Sequence, residues 1–144
     1  MDDLEMRMLR WGRQGHSCAQ MLLLLALEAR GESNPGLVRA MAGLAYGCGS
    51  GRTTCGALTG GCCLMAYLAV DAGAGDRPVE LLPSMLQELS DWFEARVGQA
   101  HGGIACEVIV GADGPAAARQ TCATIVAETY GKAMEILAAN GVAI

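Results

Sequence analysis

The sequence predicts an all-α fold: a single-domain bundle of five to six helices connected by short glycine-rich loops. Apolar residues make up 52% of the 144 residues but aromatic residues only 4%, so leucine, alanine, valine and methionine must build the core. That composition favours close-packed helices over a β-sandwich, which draws on β-branched and aromatic side chains. β-Branched residues cluster once, in Glu107–Val110, over too few positions to found a sheet. The length fits one domain over residues 1–144.

Helical periodicity and stop signals predict the first two helices. Leu4, Met8 and Trp11 recur at the i, i+4, i+7 spacing of one helix face. A strongly apolar stretch from about His16 to Ala29 predicts the second helix, and Gly31 predicts its end, because glycine readily adopts the left-handed conformation that closes helices.

Glycine, proline and asparagine signals predict the remaining boundaries. The first of them are a helix from Asn34-Pro35 to about residue 46, a break over 47–51, and a helix over about 54–72 that is capped by Thr53 and stopped by the glycines at 73–75. Asp76 and Pro78 then open another segment, which is followed by a helix from Pro83 to about 97 and a loop over 98–103. The last are a short helical turn at Cys106, a turn at 113–115 and a final helix over about 116–139.

Charge and hydropathy exclude several classes of function. The net charge is −5, and residues 71–110 carry seven acidic residues against two arginines, so no basic patch is available for nucleic acid. The chain opens on Met1-Asp2-Asp3, where a secretory leader would be basic. Apolar runs fall short of the ~20 residues of a membrane span, so we expect no membrane insertion. We therefore expect a cytoplasmic protein, whose seven cysteines are kept reduced.

Residues 47–63 read GCGSGRTTCGALTGGCC and hold four of the seven cysteines. A phosphate loop is excluded, because the first glycine and the lysine of that motif are replaced by Tyr46 and Arg52. Cys55 is instead expected in the first turn of a helix. The helix dipole and Arg52 would favour its thiolate and lower its pKa from ~8.5 toward 7. The sequence thus predicts Cys55 as the reactive thiol.

Spacing limits the partners of Cys55. Within one helix Cys55 and Cys62 are separated by about 10.5 Å along the axis, beyond the ~7 Å between Cα atoms that a disulfide tolerates. A partner must therefore come from elsewhere, and the candidates are Cys18, Cys48, Cys106 and Cys122.

Other residues around this stretch have structural interpretations. Cys62 and Cys63 are expected to be buried, small apolar residues. Glycines 56, 60 and 61 predict that another helix or a ligand approaches the backbone closely, because glycine in a helix is otherwise costly. His16 and His101 are interpreted as surface or capping residues.

Several of these residues together resemble a known family. Ser17-Cys18-Ala19-Gln20, the CGALTG of residues 55–60, Trp92-Phe93, Cys106 and Cys122 follow one another as in the C-GCAxxG-C-C family of small bacterial proteins regarded as redox-active. The resemblance extends over about residues 10–125. It implies a functional set of four cysteines, Cys18, Cys55, Cys106 and Cys122, and leaves Cys48, Cys62 and Cys63 outside the pattern.

Three functions remain open at this point. The first is a cysteine-based redox protein with Cys55 as the reactive thiol and Cys106 or Cys18 as its partner, which needs no cofactor and acts on a redox or protein partner. The second is a metal-binding protein in which the four thiolates of the functional set hold zinc or an iron–sulfur cluster. The third is a structural or partner-binding helical domain with core cysteines. The high apolar content is also compatible with a homodimer.

Overall fold

Capping residues set where the first helices begin and end in the computed structural model of the chain, which describes residues 2–70 and 79–144. Asp2 and Ser17 each close a capping box, in which the side chain accepts a hydrogen bond from the third helical residue and that residue's side chain bonds back. Asn34 caps the third helix before Pro35. Gly31 ends the second helix in the left-handed conformation, as predicted.

The described residues form seven α-helices of five or more residues, which confirms the all-α prediction. They are α1 (Asp3–Arg13), α2 (Cys18–Arg30), α3 (Pro35–Met41), α4 (Gly56–Leu68), α5 (Leu82–Phe93), α6 (Cys106–Val110) and α7 (Arg119–Ala139). The β-branched cluster at 107–110 is helical and lies in α6.

Two predicted boundaries in the first half are wrong by several residues. The helix expected to reach residue 46 stops at Met41 and passes into a 3-10 turn, Ala42–Leu44. The helix expected from residue 54 begins at Gly56 with Cys55 as its cap, because Thr54 is held in an antiparallel bridge with Ala105. The predicted stop at 73–75 and the segment at 76–78 lie outside the described residues.

In the second half the helices extend into predicted loops. α5 continues through a π-helical turn, Glu94–Gly98, to His101, so the chain leaves the helix at Gly102 rather than at residue 98. Gly102 has φ = 87° and closes the helix in the left-handed region. The predicted turn at 113–115 includes the start of a short helix, Gly114–Ala117.

The core is built around α4, which contacts α2, α5 and α7. Its glycines allow this, as the sequence predicted. A Cβ atom on Gly60 would lie 2.6 Å from the Cα of Ala19, and one on Gly61 would lie 2.9 Å from Thr129 and 3.1 Å from Leu89. α2 and α4 therefore touch through their backbones, which brings the start of each helix beside the other.

The Gly60→Ala substitution should lower the free energy of unfolding by about 3 kcal/mol, because overpacking a tight contact forces the backbones apart. The added methyl would meet the Cα and, at 3.1 Å, the carbonyl oxygen of Ala19, neither of which can rotate away. The matched control is Gly131→Ala in the exposed part of α7, where no atom lies within 4 Å. That variant should be stabilised by up to about 1 kcal/mol. Urea unfolding measures the free energy of unfolding of both variants. Equal changes in the two variants would refute the close contact between Gly60 and Ala19.

Within residues 2–70 and 79–144, no helix has both the length and the apolar character needed to cross a bilayer.

Candidate functional site

The four cysteines of the functional set all lie at the start of a helix. Cys18 is the first residue of α2 and Cys106 the first of α6, while Cys55 caps α4. Cys122 lies in the first turn of α7, where its amide donates to the carbonyl of Ala118. The positive end of a helix dipole favours a thiolate, so each position is electrostatically suitable for sulfur chemistry.

A short antiparallel pairing sets the segments of Cys55 and Cys106 side by side. The Cys55 amide donates a hydrogen bond of 2.8 Å to the carbonyl of Ile104, and the Cys106 amide donates one of 3.0 Å to the carbonyl of Thr53. Both bonds are made by backbone groups immediately before helices begin. The pairing therefore fixes the start of α4 against the start of α6, although the two are about fifty residues apart in sequence.

The predicted break at 47–51 forms a left-handed turn that packs closely against this backbone pairing. Tyr46 and Cys48 have φ values of 51° and 56°, which non-glycine residues seldom adopt. Between them, Gly47 has φ = 56°, and a Cβ atom there would lie 2.7 Å from the carbonyl oxygen of Thr53 and 3.2 Å from the Cβ of Cys106. Glycine is thus required at 47 for both its conformation and its space.

Cys18 and Cys122 form a hydrogen-bonded thiol pair. The Cys18 thiol donates to the Cys122 sulfur, which stabilises the Cys122 thiolate and lowers the pKa of Cys122 even though burial opposes it. The same hydrogen bond, followed by burial, holds the pKa of Cys18 well above its usual range. The pair therefore contains one thiol with a lowered pKa and one with a raised pKa.

Cys55 begins its helix as the sequence predicted, but its thiol is not activated. Burial raises the pKa of Cys55 to about 12 and outweighs the lowering by the amides of Ala57 and Leu58. Only 4% of the residue is exposed. Arg52, which was expected to assist, is itself exposed to solvent. The predicted lowering of the Cys55 pKa is thus wrong, because desolvation of a buried thiolate costs more than the helix start returns.

Three further cysteines have raised pKa values. Burial raises the pKa of Cys106, Cys62 and Cys63. Cys62 and Cys63 are half-buried at the edge of the core rather than fully buried as expected, and Cys48 is exposed. The thiol with the lowered pKa is thus Cys122, which the sequence had placed in the functional set without naming it as the reactive thiol.

The thiol of Cys18 interacts electrostatically with those of Cys122, Cys55 and Cys106, which raises the pKa of Cys18. In the part of the chain that the structure describes, however, no three histidine, cysteine, aspartate or glutamate side chains are grouped closely enough to hold a metal ion.

The histidines lie in different places. His16 immediately precedes the cap of α2 and is half-buried, with its ring 6.5 Å from that of Trp11 in an edge-to-face arrangement. It also lines a cavity next to the Cys18–Cys122 pair, which its interpretation as a surface residue did not include. His101 is the last residue of its helix and lies away from that cavity.

Comparison with known families gives a match over more than half of the chain. The model of a family described as "Putative redox-active protein (C_GCAxxG_C_C)" matches residues 16–136. The chain belongs to this family. The C_GCAxxG_C_C match starts and ends later than the expected 10–125 and includes the whole functional set. Searches of curated proteins and of solved structures found no match.

The raised pKa of Cys55 should make the protein less stable at alkaline pH. The unfolded chain loses this proton near the ordinary thiol pKa of about 8.5, whereas the folded chain keeps it until about pH 12. In that window the folded state binds more protons, so stability falls as pH rises, by about 1.4 kcal/mol per pH unit from Cys55 alone.

The comparison of wild type with Cys55→Ala isolates this contribution, because the volume lost in the variant costs the same at every pH. Urea unfolding from about pH 8 to about pH 11 should show the stability difference between the two proteins shrinking as pH rises. Parallel pH profiles would mean that Cys55 titrates normally in the folded protein.

Proposed function

We propose that this C_GCAxxG_C_C protein is a thiol–disulfide redox protein in which Cys122 attacks as the thiolate and Cys18 completes the disulfide. The observation that carries the proposal is that Cys18 and Cys122, each at the start of a helix, line the same open cavity. A low-pKa thiol next to a protonated one is the arrangement that thiol–disulfide exchange requires.

The exchange has two steps. The Cys122 thiolate attacks one sulfur of a disulfide substrate, so that a mixed disulfide forms, the substrate's sulfur–sulfur bond breaks, and its outer half leaves as a thiol after taking a proton from solvent. Cys18 then gives its proton to the departing inner half as its sulfur attacks Cys122. The substrate has gained two electrons and become two thiols, and the protein has lost two electrons and gained a Cys18–Cys122 disulfide.

Cys55 and Cys106 have a supporting role in this proposal. Their backbone pairing holds the starts of α4 and α6 together. A Cβ atom added to Gly56 would lie 3.6 Å from the Cβ of Cys18, so the start of α4 also packs against Cys18. The pair formed by Cys55 with Cys106 or Cys18, which the sequence suggested as the redox couple, contains a buried thiol with a pKa of about 12. Such a thiol is almost fully protonated at neutral pH and reacts slowly.

The test is to oxidise the reduced full-length protein with hydroxyethyl disulfide near pH 7 and to identify the bonded cysteines by peptide mass spectrometry. We expect a Cys18–Cys122 disulfide first, and the same bond in a Cys62→Ser control. A bond from Cys55 to Cys106 or Cys18 would overturn the assignment. Metal analysis of anaerobically purified protein serves the alternative, since one zinc or iron–sulfur cluster per chain would favour the metal-binding function.

A further inference from the structure

An open cavity of about 410 Å³ lies beside the Cys18–Cys122 pair. Both cysteines line it, together with Cys106 and residues of α1, α2 and α6. Its volume is within the range of small-molecule sites, and its concave shape suits a compact ligand rather than the surface of a folded protein. A molecule bound there would be next to the sulfur of Cys122.

The wall of the cavity is mainly apolar and carries positive charge. Its apolar side chains include Met8, Leu9, Met21 and Val110. Among the described residues that line it none is acidic, although acidic residues outnumber basic ones by 15 to 10 in the whole chain. Among the described residues of this wall, Arg119 alone has a permanently charged side chain.

Arg119 is placed to hold an anion next to the reactive sulfur. It is the first residue of α7, three positions before Cys122, so both side chains lie on the same face of the helix. The ion pairs formed among the described residues do not include Arg119, whose side chain is exposed. An anionic group bound by this guanidinium would also lie at the positive end of the α7 dipole.

We infer that the cavity binds the substrate of the Cys18–Cys122 pair, and that this substrate is a small organic disulfide with apolar arms and a carboxylate. Arg119 binds the carboxylate, the methionine and leucine side chains contact the arms, and the sulfur–sulfur bond is left facing Cys122. This inference rests on the proposed function, names its substrate class, and makes Arg119 the residue that selects the substrate by charge.

The test compares three small disulfides of similar size, namely anionic dithiodipropionate, neutral hydroxyethyl disulfide and cationic cystamine. The rate at which each produces the Cys18–Cys122 disulfide is measured in the full chain at low salt and divided by its rate with a free small thiol. We expect the normalised rate for the anion to exceed that for the cation by about tenfold, and the difference to shrink as salt is added. The net charge of −5 repels the anion, so general attraction cannot produce this order.

Arginine variants locate the effect. Arg119→Gln should remove most of the preference for the anion, and Arg119→Lys should keep part of it. The matched control is Arg39→Gln, which changes the net charge equally at an exposed position of α3 that does not line this cavity.

The outcomes distinguish the two proposals. Equal normalised rates, faster reaction of the cation, or an unchanged preference in Arg119→Gln would overturn the substrate inference alone. Absence of a Cys18–Cys122 bond with all three disulfides would overturn the proposed function and this inference with it.

Discussion

Replacing Cys18 with alanine should slow the alkylation of Cys122 at pH 7 by about tenfold, whereas Cys18→Ser should keep most of the rate. The Cys18 thiol donates the hydrogen bond that lowers the pKa of Cys122. Alanine removes the donor, so the Cys122 pKa rises and the thiolate fraction falls to the few per cent of an ordinary cysteine. A serine hydroxyl can still donate. Iodoacetamide labelling followed by mass spectrometry gives the rate for each cysteine separately.

The same experiment contains its own controls. Cys62 and Cys63 should be labelled slowly and equally in all three proteins, because burial raises their pKa and neither contacts the pair. The pH at which Cys122 labelling reaches half of its maximum should move upward in Cys18→Ala. If alanine leaves the pH profile unchanged, the assignment of the thiolate to Cys122 fails. If Cys55 is labelled first, the result supports the assignment of the reactive thiol to Cys55 that the sequence predicted.

The second large effect is on stability. Oxidation of the Cys18–Cys122 pair should raise the free energy of unfolding by up to about 4.7 kcal/mol, because the new bond closes a loop of about 100 residues and removes conformations from the unfolded chain. Urea unfolding of the oxidised wild type without a reductant, and of the reduced wild type with one, measures the difference in the free energy of unfolding directly. This loop runs from Cys18 at the start of α2 to Cys122 at the start of α7.

Cys122→Ser is the control for this measurement, and its stability should not respond to the oxidant. A smaller gain would indicate that the disulfide strains the folded protein. A loss of stability on oxidation would mean that the two sulfurs cannot bond without displacing α2 or α7, which would argue against a redox role for this pair.

Local signals predicted most of the fold. Gly31 and the Asn34-Pro35 pair act within one helical turn, and the structure places the helix boundaries there. The cap of α4 was misplaced at Thr53 because the residue that decides it, Ala105, is about fifty positions away. The continuation of α5 to His101 through a π-helical turn also depends on packing, since Gly98 alone suggests a stop.

The candidate site was predicted in part for the same reason. Spacing correctly placed Cys55 at a helix start, and the resemblance to the family selected the four cysteines. The pKa order among them depends on burial and on the contact between Cys18 and Cys122, which are properties of the packed helices. Cys122 has no distinctive neighbours in sequence, so its contact with Cys18 is visible only when α2 and α7 are seen together.

The distribution of the site over four distant helix starts also determines when its chemistry becomes available. A chain emerging from the ribosome exposes Cys18 early, but the thiol that pairs with it arrives with the last helix. Domains form as synthesis proceeds from the N-terminus, so the nascent chain carries only ordinary thiols until α7 docks. The Cys18–Cys122 contact, on which the proposed function rests, therefore forms only when α7 docks. We therefore expect the labelling rate of Cys122 to report whether α7 has docked.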